Sequence, residues 1–404
     1  MQIFSHMRRL GAALGLCWAM LAIPGHAYSN DELYDDLDDA PLEALQHEDI
    51  PVDQRIFHSR WHRAPFAPQQ FDYTPQQMAR HWDELMVGIR APFPTPELLQ
   101  TLIERYPELV SDTPAFTGDY QAFSNALIHV WRLFLRGDFQ QAREQGLQLG
   151  LFGFYPAMFA QTLYAIYLSD RQSEKYMMLQ DVANRARDHL PLLERAQDDP
   201  DAAEFVAFAR LGYAYAIARI AEESPVPVIV FRRYIGKIKD GADDVLAAVP
   251  EHPLGHTFLA AVDAGIMRRV GRAAGRLTYG ARTAVVEQSF QRAFALAPQI
   301  PILNYEYANA VVYLGRRQDL PKAHEYFNRA TAVTPRWSMD ALDVLYARQR
   351  QQEIQLMEDA YPSFRSFERQ RRRFTRVTDH NLTNVLTPVL TLEQLQHPER
   401  YRLD

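Results

Sequence analysis

The sequence predicts an all-α chain, wound as a right-handed solenoid of antiparallel helix pairs. Two observations carry that prediction. Between His252 and Pro335 one pattern occurs twice, as Val286-x3-Phe290-x2-Ala293-x4-Pro298 and as Ala323-x3-Phe327-x2-Ala330-x4-Pro335, with matching positions 37 residues apart. A small residue, an aromatic one turn on, a second small residue and a terminating proline describe the second helix of a helix–turn–helix repeat. Nowhere does apolar and polar character alternate over a stretch bounded by turn residues, so no strand is expected.

Each element has its own signal. Thr74 before Pro75 reads as a cap followed by proline at the first helical position, and Thr95 before Pro96 repeats it. Residues 119–136 place Phe123, Leu127, Val130, Trp131 and Phe134 on one helical stripe. Gly137-Asp138-Phe139 then turns the chain, and Ala142 follows at the offset that Ala323 has after Gln318-Asp319-Leu320, so 119–150 reads as a third, degenerate unit. Helix pairs are predicted at 155–168 with 171–196, and at 201–222 with 226–249. A helix opens at Pro253, and the last are expected near 337–360 and 363–376. Stacked units of this kind bury a shared core and leave a concave face lined by first helices.

Five regions follow: a signal peptide at 1–27, an acidic arm at 28–73, degenerate helical hairpins at 74–250, clearer repeats at 251–350, and a C-terminal helix with an irregular tail at 351–404. Residues 1–27 run from the basic MQIFSHMRR through 14 apolar residues to Pro24-Gly25-His26-Ala27, the layout of an export signal cleaved near Ala27. Export through the general secretory route to a bacterial periplasm is the expectation. The only cysteine is Cys17, inside that apolar run, so the mature chain has neither disulfide nor thiolate metal site. Between Tyr28 and Asp53 lie ten acidic residues and no Lys or Arg. That composition suits a loosely docked arm. The net charge of −7 argues against nucleic-acid binding.

At His252-Pro-Leu-Gly-His256, Tyr279-Gly280-Ala281, Glu306-Tyr307-Ala308 and Ala323 to Pro335 the chain resembles tetratricopeptide repeat (TPR) proteins. More narrowly it is similar to exported bacterial repeat proteins of the regulator of microtubule dynamics type. It is also similar in plan to the T-component of TRAP transporters, which implies a small apolar ligand held beside a solute-binding subunit. The Trp-x2-Leu-Gly-x2-Tyr pattern of ordinary first helices is missing, and the helix from Pro253 runs long into a Gly/Ala/Arg segment.

Several side-chain groups invite a chemical reading. Arg268, Arg272 and Arg276 share a helical stripe at i, i+4 and i+8, flanked by Arg269 and Arg282, and no acid occurs from 264 to 282. Such a face suits a carboxylate, a phosphate or an acidic segment. The plain alternative is a solvated charged face. Tyr305, Asn309, Val312 and Arg316 share a stripe that would line the concave side. Arg365, Arg369, Arg371, Arg372, Arg373 and Arg376 form a second basic run. His58 with His62, and His252 with His256, have helical spacing but lack a third ligand, and capping suits His252 better. Glu222-Glu223-Ser224 resembles the Glu-Ser pair of helical cell-wall hydrolases, without their other motifs.

No P-loop, dinucleotide fingerprint, HExxH or Gly-x-Ser-x-Gly occurs, so neither cofactor, metal nor enzymatic activity is expected. The expected role is a protein- or peptide-binding scaffold with an envelope partner. The alternative is a small apolar or anionic ligand, held by a transporter accessory. Neither nucleic acid nor a membrane span beyond the cleaved signal is expected.

Overall fold

A computed structural model describes residues 53–224 and 226–363, with 366–367, 384–386, 391 and 393. The export signal, residues 28–52 of the acidic arm and the arginines of the basic run at 365–376 lie outside the described residues. The described chain is all-helical, with fifteen α-helices and no strand. No described helix is long and apolar enough to cross a membrane.

Helix α1 (Pro75–Leu85) starts at the predicted cap: the Thr74 hydroxyl accepts from the Gln77 N–H, and the Gln77 side chain accepts from the Thr74 N–H. The Thr95 hydroxyl caps α2 (Pro96–Arg105) by accepting from the Leu98 N–H. These caps satisfy N–H groups that the first turn leaves without a partner. Helix α3 (Tyr120–Arg136) ends on Gly137, whose left-handed φ of +83° turns the chain into α4 (Phe139–Leu147). A methyl on Gly137 would also press to 2.9 Å from the Phe66 ring, so both backbone and space demand glycine here.

Helix α5 (Gly150–Tyr167) is apolar on every side, and all its residues from Leu151 to Tyr167 are buried. A helix of that composition can only sit inside. It packs on α3, α4, α6 (Gln172–Glu194) and α7 (Ala203–Glu223). It starts five residues before the predicted 155, with Pro156 inside it. After α7 come a short α8 (Val226–Phe231) and α9 (Tyr234–Ala248). The single helix predicted over 226–249 is therefore two, broken at Arg233 with φ +54°.

The region with the twice-occurring sequence pattern follows as α10 (Pro253–Val270), α11 (Arg272–Tyr279), α12 (Thr283–Leu296), α13 (Pro301–Leu314), α14 (Leu320–Thr331) and α15 (Ser338–Ala360). Phe290, Ala293, Phe327 and Ala330 are all fully buried, as packing residues should be. Phe290 meets Tyr307 edge-on at 5.0 Å between ring centres.

Helix α15 also reaches back across the unit. It packs on α3 and α5 as well as on α13 and α14. The Ser338 hydroxyl donates to the Phe134 carbonyl at 2.7 Å, and Trp337 meets Phe134 edge-on at 5.5 Å. The Tyr73 hydroxyl donates to the Arg336 carbonyl at 2.7 Å. Late helices thus close against early ones, which simple stacking of each unit on its neighbours does not produce.

Candidate functional site

Closure by α15 leaves a cavity of about 190 Å³ in the interior. Its walls come from α5, α7, α9, α10, α13 and α15, with α8 and α11 at the rim. One side is apolar: Phe159 and Leu163 from α5, Leu211 from α7, Ile235 and Ile238 from α9, and Leu254, Phe258, Val262 and Ile266 from α10. Most of these are products of ordinary amphipathic patterning, aimed inward by helices that do not fully meet. At the rim Val230 is 44% exposed, and Arg268, Arg269, Val270 and Tyr279 are half-buried, so the lining reaches solvent between α8 and the end of α10.

The other side is polar and carries charge. Arg219 of α7 pairs with Glu222 at 2.8 Å, approaches Glu306 of α13 at 3.7 Å and donates to the Tyr215 hydroxyl at 3.0 Å. Burial alone would raise the Glu222 carboxyl, but the charge and hydrogen bond of Arg219 prevail and hold it below the usual range. Glu306 has the weaker contact with Arg219, and burial wins there, pushing its carboxyl up. Asn309 faces the same space and accepts from the buried Arg350 at 3.1 Å; Arg350 in turn pairs with Glu353 at 3.2 Å.

At the α15 wall Asp343 is 1% exposed. Its Oδ1 accepts from the Tyr167 hydroxyl at 2.6 Å and lies 3.4 Å from the Tyr305 hydroxyl, and those two hydroxyls are 2.9 Å apart. Burial pushes the Asp343 carboxyl well above the ordinary carboxylate range, against the opposing pull of the Tyr167 hydrogen bond. Its Oδ2 is buried and has no hydrogen-bond partner.

The arginine stripe does not survive intact. Gly271, at φ +83° and ψ 157°, ends α10 and starts α11, so Arg268, Arg272 and Arg276 do not share one helix. Arg268 lies over the Tyr313 ring at 4.3 Å and lines the cavity. Arg269 donates to the carbonyls of Ala221 and Glu222, at the C-terminal end of α7. Arg272 donates to the Leu314 carbonyl at the end of α13. Those carbonyls are the acceptors that helix ends leave without partners. Arg276 and Arg282 are exposed.

The predicted concave stripe is also placed differently. Tyr305, Asn309 and Val312 are buried at 0%, 3% and 2% exposure, and only Arg316 is exposed. Tyr305 meets Asp343 and Tyr346, and Asn309 meets Arg350, because closure by α15 covers the face that an open array would show. His252 acts as a cap: its Nδ1 accepts from the Gly255 N–H at 3.1 Å, while Nε2 sits 3.2 Å from the Ile89 carbonyl. His62 is 3.4 Å from Asp170, and His256 bonds the Pro250 carbonyl at 2.9 Å. Among the described residues no three His, Cys, Asp or Glu side chains gather as a metal site would need.

Sequence reasoning reached Asn309 and Arg268 on the cavity wall, though for other reasons. It passed over Asp343 and Glu306 because their partners lie tens of residues away, and over Arg219 because its near neighbours Tyr215 and Glu222 give no sign in the sequence of facing an interior. The one available signal was an aspartate inside an otherwise apolar turn, Ala341-Leu342-Asp343-Val344-Leu345. No protein-family model matches this chain, and no curated protein matches it.

Proposed function

We propose that this chain is a non-enzymatic binding protein for a small, largely apolar molecule, which it holds in the cavity enclosed by α15. The cavity itself carries the reading: about 190 Å³, an apolar wall and a few converging polar groups. For scale, an engineered apolar cavity of about 150 Å³ accepts benzene. A molecule of about six to ten non-hydrogen atoms is therefore the matching size.

The closure by α15 supports the same reading. Repeats ordinarily offer an open concave face, and here Tyr305, Asn309 and Val312 of that face are buried against α15. A peptide-binding scaffold needs those side chains accessible. Cell-wall hydrolysis is disfavoured too. A general acid needs a raised pKa, and the Glu222 carboxyl is held low by Arg219. With the periplasmic address that the N-terminus predicts, the role is that of a ligand-binding accessory, in the manner of a transporter T-component.

Gly265 provides the test. It lines the cavity from within α10, and a methyl built on it would meet no atom within 4 Å. Leucine at this position projects into open space and suits a helix better than glycine by about 0.8 kcal/mol. Fluorobenzene binding, followed by fluorine NMR, should fall at least about tenfold in Gly265→Leu while the melting temperature holds or rises. Equal binding by both proteins, or none by the wild type, sinks the proposal.

A further inference from the structure

Asp343 is the one cavity-lining acid whose carboxyl has an unmatched buried oxygen. Glu222 and Glu306 both have Arg219 nearby, at 2.8 and 3.7 Å. Among the described residues no ion pair reaches Asp343. Its two neighbours, the Tyr167 and Tyr305 hydroxyls, both lie on the Oδ1 side. An acid that receives hydrogen bonds at Oδ1 keeps its own proton at Oδ2, and burial favours that neutral form. The result is a buried O–H donor on a residue of the cavity wall, with no protein acceptor. Buried donors are ordinarily satisfied, and a group left out points to a missing partner.

The surrounding charge narrows what that partner is. Arg219, Arg268 and Arg269 line the same space, and of its acids only Glu222 has its carboxyl held below the usual range. A cationic ligand would meet the three arginines, and a carboxylate ligand would have to shed its hydration beside the apolar wall. A neutral oxygen acceptor meets neither objection.

We propose that Asp343 is the recognition group of this cavity, its Oδ2 donating a hydrogen bond to the carbonyl oxygen of a small neutral ketone, aldehyde or ester. The proposal rests on the cavity-binding reading above and specifies its ligand class. Oxygen at that position distinguishes such molecules from hydrocarbons of equal shape, because a site built to hydrogen-bond discriminates by what it leaves unpaired.

Three ligands and two variants test it. Acetophenone and ethylbenzene have nearly the same shape and differ in the carbonyl; 1-phenylethylamine supplies the cation. Asp343→Asn keeps an acceptor for the tyrosines and an N–H donor toward the cavity, and Asp343→Leu removes both. The expected outcome is a loss of about 10- to 30-fold in acetophenone affinity in Asp343→Leu. Ethylbenzene should change less than about threefold, and Asp343→Asn should keep acetophenone within about threefold. The carbonyl stretch of bound acetophenone should shift to lower frequency in the wild type and in Asp343→Asn, and not in Asp343→Leu. Equal losses for acetophenone and ethylbenzene in Asp343→Leu would overturn the donor role while leaving cavity binding intact. Tighter, Asp343-dependent binding of the amine would overturn it in favour of an ionised carboxylate. Failure of the wild type to bind either neutral ligand would remove both readings together.

Discussion

A single imidazole shows how burial becomes a pH dependence. His252 is fully buried, and burial lowers its pKa from 6.5 to about 4, with the nearby charge of Arg90 acting in the same direction. The unfolded chain takes up that proton near 6.5. Between these values the unfolded state binds more protons, so stability falls as pH drops through the window and is fully present above it. His189, also lowered to about 4, adds an effect of the same sign. For His252 alone the loss between pH 7 and pH 5 is about 2 kcal/mol. Urea midpoints should fall accordingly over that range. His252→Asn keeps a capping acceptor for the Gly255 N–H and should flatten the dependence; an unchanged slope in that variant would refute the assignment. The capping role itself was legible, because a histidine directly before a proline-led helix has one obvious job. The burial that makes it titrate abnormally comes from Ile89 and its neighbours, which sequence spacing does not reveal.

At the scale of elements, the helices that carry strong local punctuation were the legible ones. Thr74-Pro75, Thr95-Pro96 and Gly137 mark their boundaries chemically, and the structure places caps and turns there. The Phe and Ala positions of the repeats were legible for the same reason. Breaks made by backbone conformation alone were not. Arg233 takes a left-handed φ without any glycine or proline to announce it. Gly271 lies inside a run of good helix formers, and reading through it produced a continuous arginine stripe. Its φ of +83° and ψ of 157° lie in a region that only glycine occupies comfortably, and nothing lies within 4 Å of a methyl placed there. Gly271→Ala should therefore cost on the order of 2 kcal/mol purely through the backbone. Denaturant titration measures this, and a cost near zero would show that α10 and α11 can rejoin as one helix.

Across the whole unit, the contacts of α15 decide whether the helices behave as a row or as a closed body. In a row, each unit answers only to its neighbours, and damage at one end stays there. Trp337 is 2% exposed, meets Phe134 edge-on and donates from Nε1 to Asp340 at 3.0 Å. Trp337→Ala should destabilise by about 3–5 kcal/mol. Amide hydrogen exchange should then rise in α3 as well as in α14 and α15. Exchange that rises only in the C-terminal helices would show that closure is geometric without being energetic. This closure was the illegible part of the fold. Repeat patterns specify how a unit meets the next one, whereas Tyr167, Phe134 and Tyr73 meet residues from another third of the chain. The cavity and its polar wall exist only because of that meeting, so the candidate site was hidden with it.

The same long reach sets an order of events during folding. The bonds from Tyr167 to Asp343, Phe134 to Ser338 and Tyr73 to Arg336 span 176, 204 and 263 residues. Contacts that distant form late, since chain entropy must be overcome before they give anything back. Helix α5, apolar all round, lacks part of its cover until α15 docks. For that interval the folding chain carries exposed apolar surface of the kind that aggregates or recruits a chaperone. A chain organised this way is at its most vulnerable just before its last helix closes.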